Sequence, residues 1–246
     1  MKLSPQVSLV GSGQYGMRLT HFMDCNVFLL DGGDECALVD AGAGVEPERI
    51  VAQIQNVGVA MERVRSLLLT HAHADHAAGA RFWRERYGLQ VVCPREAAPW
   101  VENGDMEKTS LRRAIAAGAY PVGFEFPPCP VDRTVGEGDR VRVGTIELRV
   151  LETPGHARGH VSYLMDEDGA PALFSGDVIF AGGTIVLQST WDCDIQAYAA
   201  TTARLHELKI ERLYAGHKPP LLSEAHRDIA RAHEIFEGLG VPPNFN

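Results

Sequence analysis

Residues 66–76, SLLLTHAHADH, join a short apolar run directly to four side chains of metal-ligand type. Such a run reads as a buried strand, so the polar cluster falls in a turning loop at a strand's carboxyl end, where α/β proteins commonly carry their chemistry. His71 and His73 alternate, and Asp75 and His76 follow after one residue. A turning loop can therefore aim the first pair at one point and the second pair at another nearby. Each metal needs three or four protein ligands. Two metals thus demand a fold that carries further donors from distant segments to this same edge.

Three such donors follow apolar runs downstream, each beside a glycine: His156 in ETPGHARGH, Asp177 in LFSGDVIF and His217 in LYAGHKPP. Any one alone would read as a surface or capping residue. Together with the cluster they read as one ligand set of nitrogen and oxygen donors, suited to Zn²⁺ by default and also to Mn²⁺, Fe or Co. The rest of the chain alternates strand and helix. VSLV (7–10), NVFLL (26–30) and a segment ending at Asp40 read as strands, and VEPERIVAQIQNVGV as a helix with Pro47 in its first turn and Ile50, Val51, Ile54 and Val57 at helical spacing. ARFWRERYG reads as a helix stopped by glycine, LQVVC and PALFSGD as strands, and TVGEGDRVRVGTIELRVLETPG as a hairpin. IQAYAATTARLHELK is a helix capped by Asp194, and SEAHRDIARAHEIFEGLG a last helix capped by Ser223 and stopped near Gly238 or Gly240. The pattern predicts an α/β architecture with helices covering sheet faces.

In the order VDAG with Asp40, HxHxDH, TPGH, GD and GH, the chain resembles the metallo-β-lactamase superfamily of metallohydrolases over nearly its whole length. The resemblance implies an αββα four-layer sandwich. It also implies that His71, His73 and His156 hold one metal, that Asp75, His76 and His217 hold the second, and that Asp177 bridges them. Asp40 is then expected to bond to the ligand loop and fix its orientation, the alternative being a plain strand-end turn aspartate. Two such metals would share a water, lower its pKa towards neutrality and leave one ion free to polarise a carbonyl or phosphoryl oxygen. Asp75 and Asp177 are the candidate catalytic carboxylates. His160 reads better as a satisfied structural histidine.

The expected organisation is one domain over 1–246, with 94–128 as a lid insertion in the 79 residues between His76 and His156. Its aromatics, Trp100, Tyr120, Phe124 and Phe126, together with Tyr15, Phe180 and Trp191, suggest an apolar substrate pocket. A net charge of −9 without a stripe of Lys and Arg argues against nucleic acid and against a basic pocket for phosphodiesters. No apolar run reaches the roughly 18 residues of a bilayer span, and the opening MKLSPQVSLVGSG is too short in apolar residues for a signal peptide. A cytoplasmic protein with no membrane partner is expected. The five cysteines, odd in number and widely spaced, fit reduced thiols.

Departures from subfamilies narrow the substrate. The bridging Asp177 and the lack of a leader differ from true lactamases, and His73 stands where flavodiiron-type members place a glutamate. After GDVIFAGG, Thr184, Ile185 and Val186 depart from glyoxalase II, and the 29 residues after His217 are too few for its glutathione-binding helices. Phe180 replaces the tyrosine of quorum-quenching lactonases. The expected activity is hydrolysis of a small ester, lactone or thioester by metal-bound hydroxide on two divalent ions. The alternatives are a phosphodiesterase of the same fold, a mononuclear-iron enzyme like the persulfide dioxygenases, and a non-catalytic metal-binding protein. A small molecule is the expected partner. A homo-oligomer stays open, as does whether the PPNFN tail folds onto the body.

Overall fold

The computed structural model describes residues 1–245. The apolar runs pair into two sheets. In the first, β1 (Val7–Gly11), β2 (Val27–Asp31), β3 (Cys36–Val39), β4 (Val64–Leu68), β5 (Gln90–Pro94) and β6 (Arg133–Val135) lie side by side in chain order. The pairs from β1 to β3 are antiparallel and those from β3 to β6 parallel. The second sheet runs β11-β10-β9-β8-β7, from β7 (Arg140–Val143), β8 (Ile146–Glu152), β9 (Val161–Glu167), β10 (Ala170–Gly176) and β11 (Arg212–Ala215). Only its β10–β11 pair is parallel.

Three apolar clusters show how the layers stack. Between the sheets, Leu9, Phe28, Leu30, Val39 and Leu68 meet Leu148, Val150, Tyr163, Phe174 and Tyr214. Outside the first sheet, Leu29, Leu38 and Leu67 pack with Ile50 and Ile54 of α1 (Pro47–Asn56) and with Trp83 of α3 (Ala80–Tyr87), beyond the short α2 (Ala74–Ala77). The same cluster takes in Ala98 and Val101 of α4 (Ala98–Asn103) and Leu111 of α5 (Leu111–Ala116). Outside the second sheet, Leu173 and Leu213 pack with Tyr198 and Leu205 of α6 (Ile195–Glu207) and Ile229 of α7 (Ala225–Glu237). The layers are therefore helix, sheet, sheet, helix, the expected αββα sandwich. Each buried large apolar side chain contributes about 1.5–3 kcal/mol by area.

Local departures have local causes. Asp75 and His76 lie on the helical turn α2, not in irregular loop, with His73 as the residue before it. α6 begins as expected, Asp194 accepting from the amides of Gln196 and Ala197. Ser223 does not cap α7: the preceding residue is Glu224, in the left-handed region, and Glu211 takes the amides of Glu224 (3.1 Å) and Ala225 (3.1 Å) instead. β9 has no clear alternation because it is a central strand with almost every residue buried. The C-terminal tail folds onto the body, with Phe245 N–H donating to Ile185 O at 2.7 Å. All five cysteines are free, and four are buried. Among the described residues, no helix is long and apolar enough to cross a membrane.

Candidate metal centre

Every donor singled out in the sequence follows the carboxyl end of a strand: Asp40 after β3, His71 after β4, His156 after β8, Asp177 after β10 and His217 after β11. Cross-sheet bonds bring these ends to one place. Val161 N–H donates to Thr70 O (2.9 Å), Tyr163 O–H to Leu69 O (2.8 Å) and Asn26 N–H to Gly216 O (2.6 Å). Close approach also explains the glycine beside His217, since a Cβ on Gly216 would run into Asp177 Oδ1 and His76 Cε1.

The seven residues form two groups linked by a third, His71, His76 and Asp177. Donor atoms of His71, His73 and His156 lie within 4.8 Å of one another, as do those of Asp75, His76 and His217. Asp177 lies between them. Its Oδ1 is 3.3 Å from His76 Nε2, and its Oδ2 is 3.3 Å from His217 Nε2 and 3.7 Å from His156 Nε2. Asp75 Oδ2 is 3.1 Å from His217 Nε2.

Hydrogen bonds orient the rings. His76 Nδ1–H donates to Asp40 Oδ2 at 2.8 Å, His156 Nδ1–H to Val186 O at 3.3 Å, and His71 Nδ1–H to Thr70 Oγ1 at 3.0 Å. Asp40, in the left-handed region at φ 64°, also accepts from Thr70 N–H and O–H. One carboxylate thus anchors both the start of the ligand loop and the His76 ring. With Nδ1 engaged, Nε2 is left to face the cluster. His160 has both nitrogens satisfied, Nδ1–H donating to Thr153 Oγ1 (2.8 Å) and Nε2 accepting from Asp177 N–H (3.1 Å). It holds the Asp177 backbone and takes no place among the donors.

The donor set fits divalent metal. His71 Nε2, His73 Nε2, His76 Nε2 and Asp177 Oδ1 are all buried with no hydrogen-bond partner. Buried polar atoms are normally paired, so the unpaired His71 Nε2, His76 Nε2 and Asp177 Oδ1, beside a His73 ring that turns Nδ1 to within 2.8 Å of His156 Nε2, call for a cation. The electrostatics divide the site. Burial pushes His71 well below its ordinary value, and His73 and His156 down to about 4, so these three stay neutral. Burial also opposes charge on His217, but Asp177 and Asp75 outweigh it and raise the ring to about 9. His76 is likewise raised against its burial, by Cys25, Asp177, Asp75 and Asp40. Burial disfavours charge on Asp75 and Asp177 too, yet His76 and His217 hold both carboxyls well below the usual range.

A cavity of about 620 Å³ opens above the donors, with His73, Asp75, Asp177 and His217 in its floor. Tyr15 lines it, its ring edge-on to His217 at 6.0 Å. Five other expected pocket residues, Trp100, Phe124, Phe126, Phe180 and Trp191, do not. Phe180 is fully buried and stacks at 5.2 Å beneath Phe245, which lines the cavity in its place. Trp191 is 45% exposed, its indole N–H donating outward to Lys108 O at 3.2 Å, and Trp100 packs on it at 5.6 Å. Of the insertion's aromatics, Tyr120 reaches the floor: its O–H donates to Asp75 Oδ1 (3.0 Å) and its oxygen accepts from Asp75 N–H (3.1 Å). No motif or spacing pointed to Arg113, a cation in the wall where no basic pocket residue was expected.

The metallo-beta-lactamase superfamily model matches residues 22–217, and the chain belongs to that superfamily. A protein named hydroxyacylglutathione hydrolase from Chelativorans sp. (strain BNC1) is 32% identical over 183 residues, 74% of this chain and 57% of that one. Probable metallo-hydrolase YqgX from Bacillus subtilis (strain 168) is 29% identical over 161 residues, 65% of this chain and 69% of that one. The chain spans about half the length of the hydroxyacylglutathione hydrolases it matches. Among solved structures, a Cronobacter sakazakii metallo-β-lactamase with a HARLDQ motif superposes with a TM-score of 0.74 at 20% identity, covering 97% of this chain and 96% of that one. A metallo-β-lactamase family protein from Thermus thermophilus gives 0.74 at 24% identity, covering 96% and 81%. At these identities the structures show the shared fold.

Proposed function

We propose that this protein is a metal-dependent hydrolase that holds two divalent ions, zinc by default and manganese or iron as alternatives, and cleaves a small ester, thioester or lactone. The observation that carries the reading is the set of unpaired buried donors, His71 Nε2, His76 Nε2 and Asp177 Oδ1, with His73 Nδ1 beside His156 Nε2, beneath a cavity floor that includes Asp75 and His217. His71, His73 and His156 would hold one ion and Asp75, His76 and His217 the other, with Asp177 between them. When bound, such ions supply a water of near-neutral pKa and a Lewis acid for a carbonyl oxygen.

The chain's own groups set the rest. Tyr120 occupies Asp75 Oδ1, leaving Oδ2 turned to the floor, where it can orient a water and accept its proton. Asp40 and Thr70 keep the His76 and His71 rings from turning away. Tyr15, Phe245 and the insertion wall the cavity and limit water. Relatives named for thioester cleavage support an acyl substrate.

Elemental analysis joined to a hydrolysis screen tests the reading. About two metals per chain are expected, with hydrolysis of aryl esters, lactones or acyl-thioesters abolished by chelation. Asp177→Ala should disturb both ions and His71→Ala mainly one. A single tightly held iron with oxygen-consuming activity would overturn the assignment.

A further inference from the structure

We infer that Arg113 makes the wall of the cavity a subsite for a carboxylate, so that the substrate carries an acid group remote from the bond being cut. The inference rests on the hydrolase reading and adds the substrate's charge to it. Among the residues lining the cavity, Arg113 is the one Arg or Lys. Arg113 is solvent-exposed, and its Nη2 donates to Ser189 Oγ, another residue of the lining, at 2.6 Å, which leaves further N–H donors for a ligand.

No acid pairs with Arg113 among the described residues, although the chain has 32 acidic residues to 23 basic ones. Its neighbour Arg112 pairs with Glu107, and Arg158 pairs with Glu96 at 2.9 Å. The carboxylates that line the cavity are engaged elsewhere. Asp75 and Asp177 belong to the metal floor, and Asp24 accepts from Thr20 O–H (2.7 Å) and Ala43 N–H (2.9 Å). The wall also offers small apolar surface, Leu111 and Ala114 on the insertion and Val186 and Leu187 on the facing loop. Metal floor, aliphatic wall and guanidinium match an acyl compound with a short aliphatic stretch and a terminal carboxylate, which the planar fork receives in bidentate fashion. A phosphodiester differs in carrying its charge at the scissile group, over the metals.

The test uses the metal-loaded full chain and two matched aryl esters, valeryl and glutaryl, which differ in a terminal methyl against a terminal carboxylate. The wild type should prefer the glutaryl ester by about tenfold in kcat/KM, chiefly through KM. R113M should erase that preference and leave the valeryl ester within about twofold. R113K should restore part of it, having charge without the fork. Equal rates on the two esters in the wild type, or an equal loss on both in R113M, would overturn the subsite. Calorimetric titration with glutarate separates this from the catalytic reading. Tighter binding to wild type than to R113M, in a protein that cleaves neither ester, upholds the subsite while the ester assignment falls. Equal glutarate affinity in the two proteins removes the subsite even if valeryl ester is hydrolysed.

Discussion

Tyr120 is the side chain through which the insertion touches the metal floor, and its two bonds to Asp75 close a small ring around that carboxylate. Removing only its oxygen should loosen Asp75 while the aromatic ring still fills its place. Tyr120→Phe is expected to weaken metal retention about tenfold, the lower end of what outer hydrogen bonds to metal ligands contribute. Competition with a chromogenic chelator measures this, and an unchanged circular dichroism spectrum separates it from misfolding. Asp40→Asn should cost more, roughly 10- to 100-fold, because that carboxylate serves the His76 ring and the ligand loop together. At this scale the donors were legible because their chemistry is written in residue type and their place in strand ends. Tyr120 was legible only as one aromatic among several, its bond to Asp75 not at all, and Arg113 and Phe245 were not distinguishable from surface and packing residues. Their roles depend on which way a side chain faces after distant segments meet, and spacing does not encode that.

Among the elements, residues of the 109–120 segment and of the 184–194 loop both line the cavity. Trp191 fastens the loop to the insertion from outside: its N–H bonds to Lys108 O, Lys108 Nζ sits 4.2 Å from the ring centre, and Trp100 meets it edge-on. An exposed cation–π contact and one hydrogen bond are each worth about 1 kcal/mol. Trp191→Ala should therefore raise KM roughly 3- to 10-fold for a good substrate while metal content stays constant. Limited proteolysis should show earlier cleavage in 184–194; an unchanged pattern and KM would mean the indole only decorates the surface. Helices with long periodic faces were readable, as Ile50, Val51 and Ile54 of α1 and the Asp194 cap of α6 show. α4 spans six residues, too few to show a period, and its Pro99 reads as a breaker although it sits in the first turn. β9 escaped notice for the opposite reason, since burial on both faces removes the alternation that marks a half-buried strand.

Across the whole molecule, the donors join the ends of both sheets, so bound metal should stabilise the two layers as one. At a free concentration near one hundred times Kd, a bound ion adds about 2.7 kcal/mol, or roughly 5–10 °C in Tm for a chain of this size. Calorimetry before and after chelation should show a fall of that order, and re-addition of zinc or manganese should restore it. An unaltered Tm would argue that the donors hold no ion in the folded protein. The spacing of the donors along the chain has a further consequence during synthesis. His71, His73, Asp75 and His76 leave the ribosome together, but His217 emerges 141 residues after His76, roughly 7–28 s later at ordinary elongation rates. Until Asp177 emerges, 101 residues after His76, the nascent chain offers the imidazoles of that cluster without the carboxylate that lies between the two groups in the folded protein. The complete donor set therefore exists only once His217 has emerged and the two sheets have met.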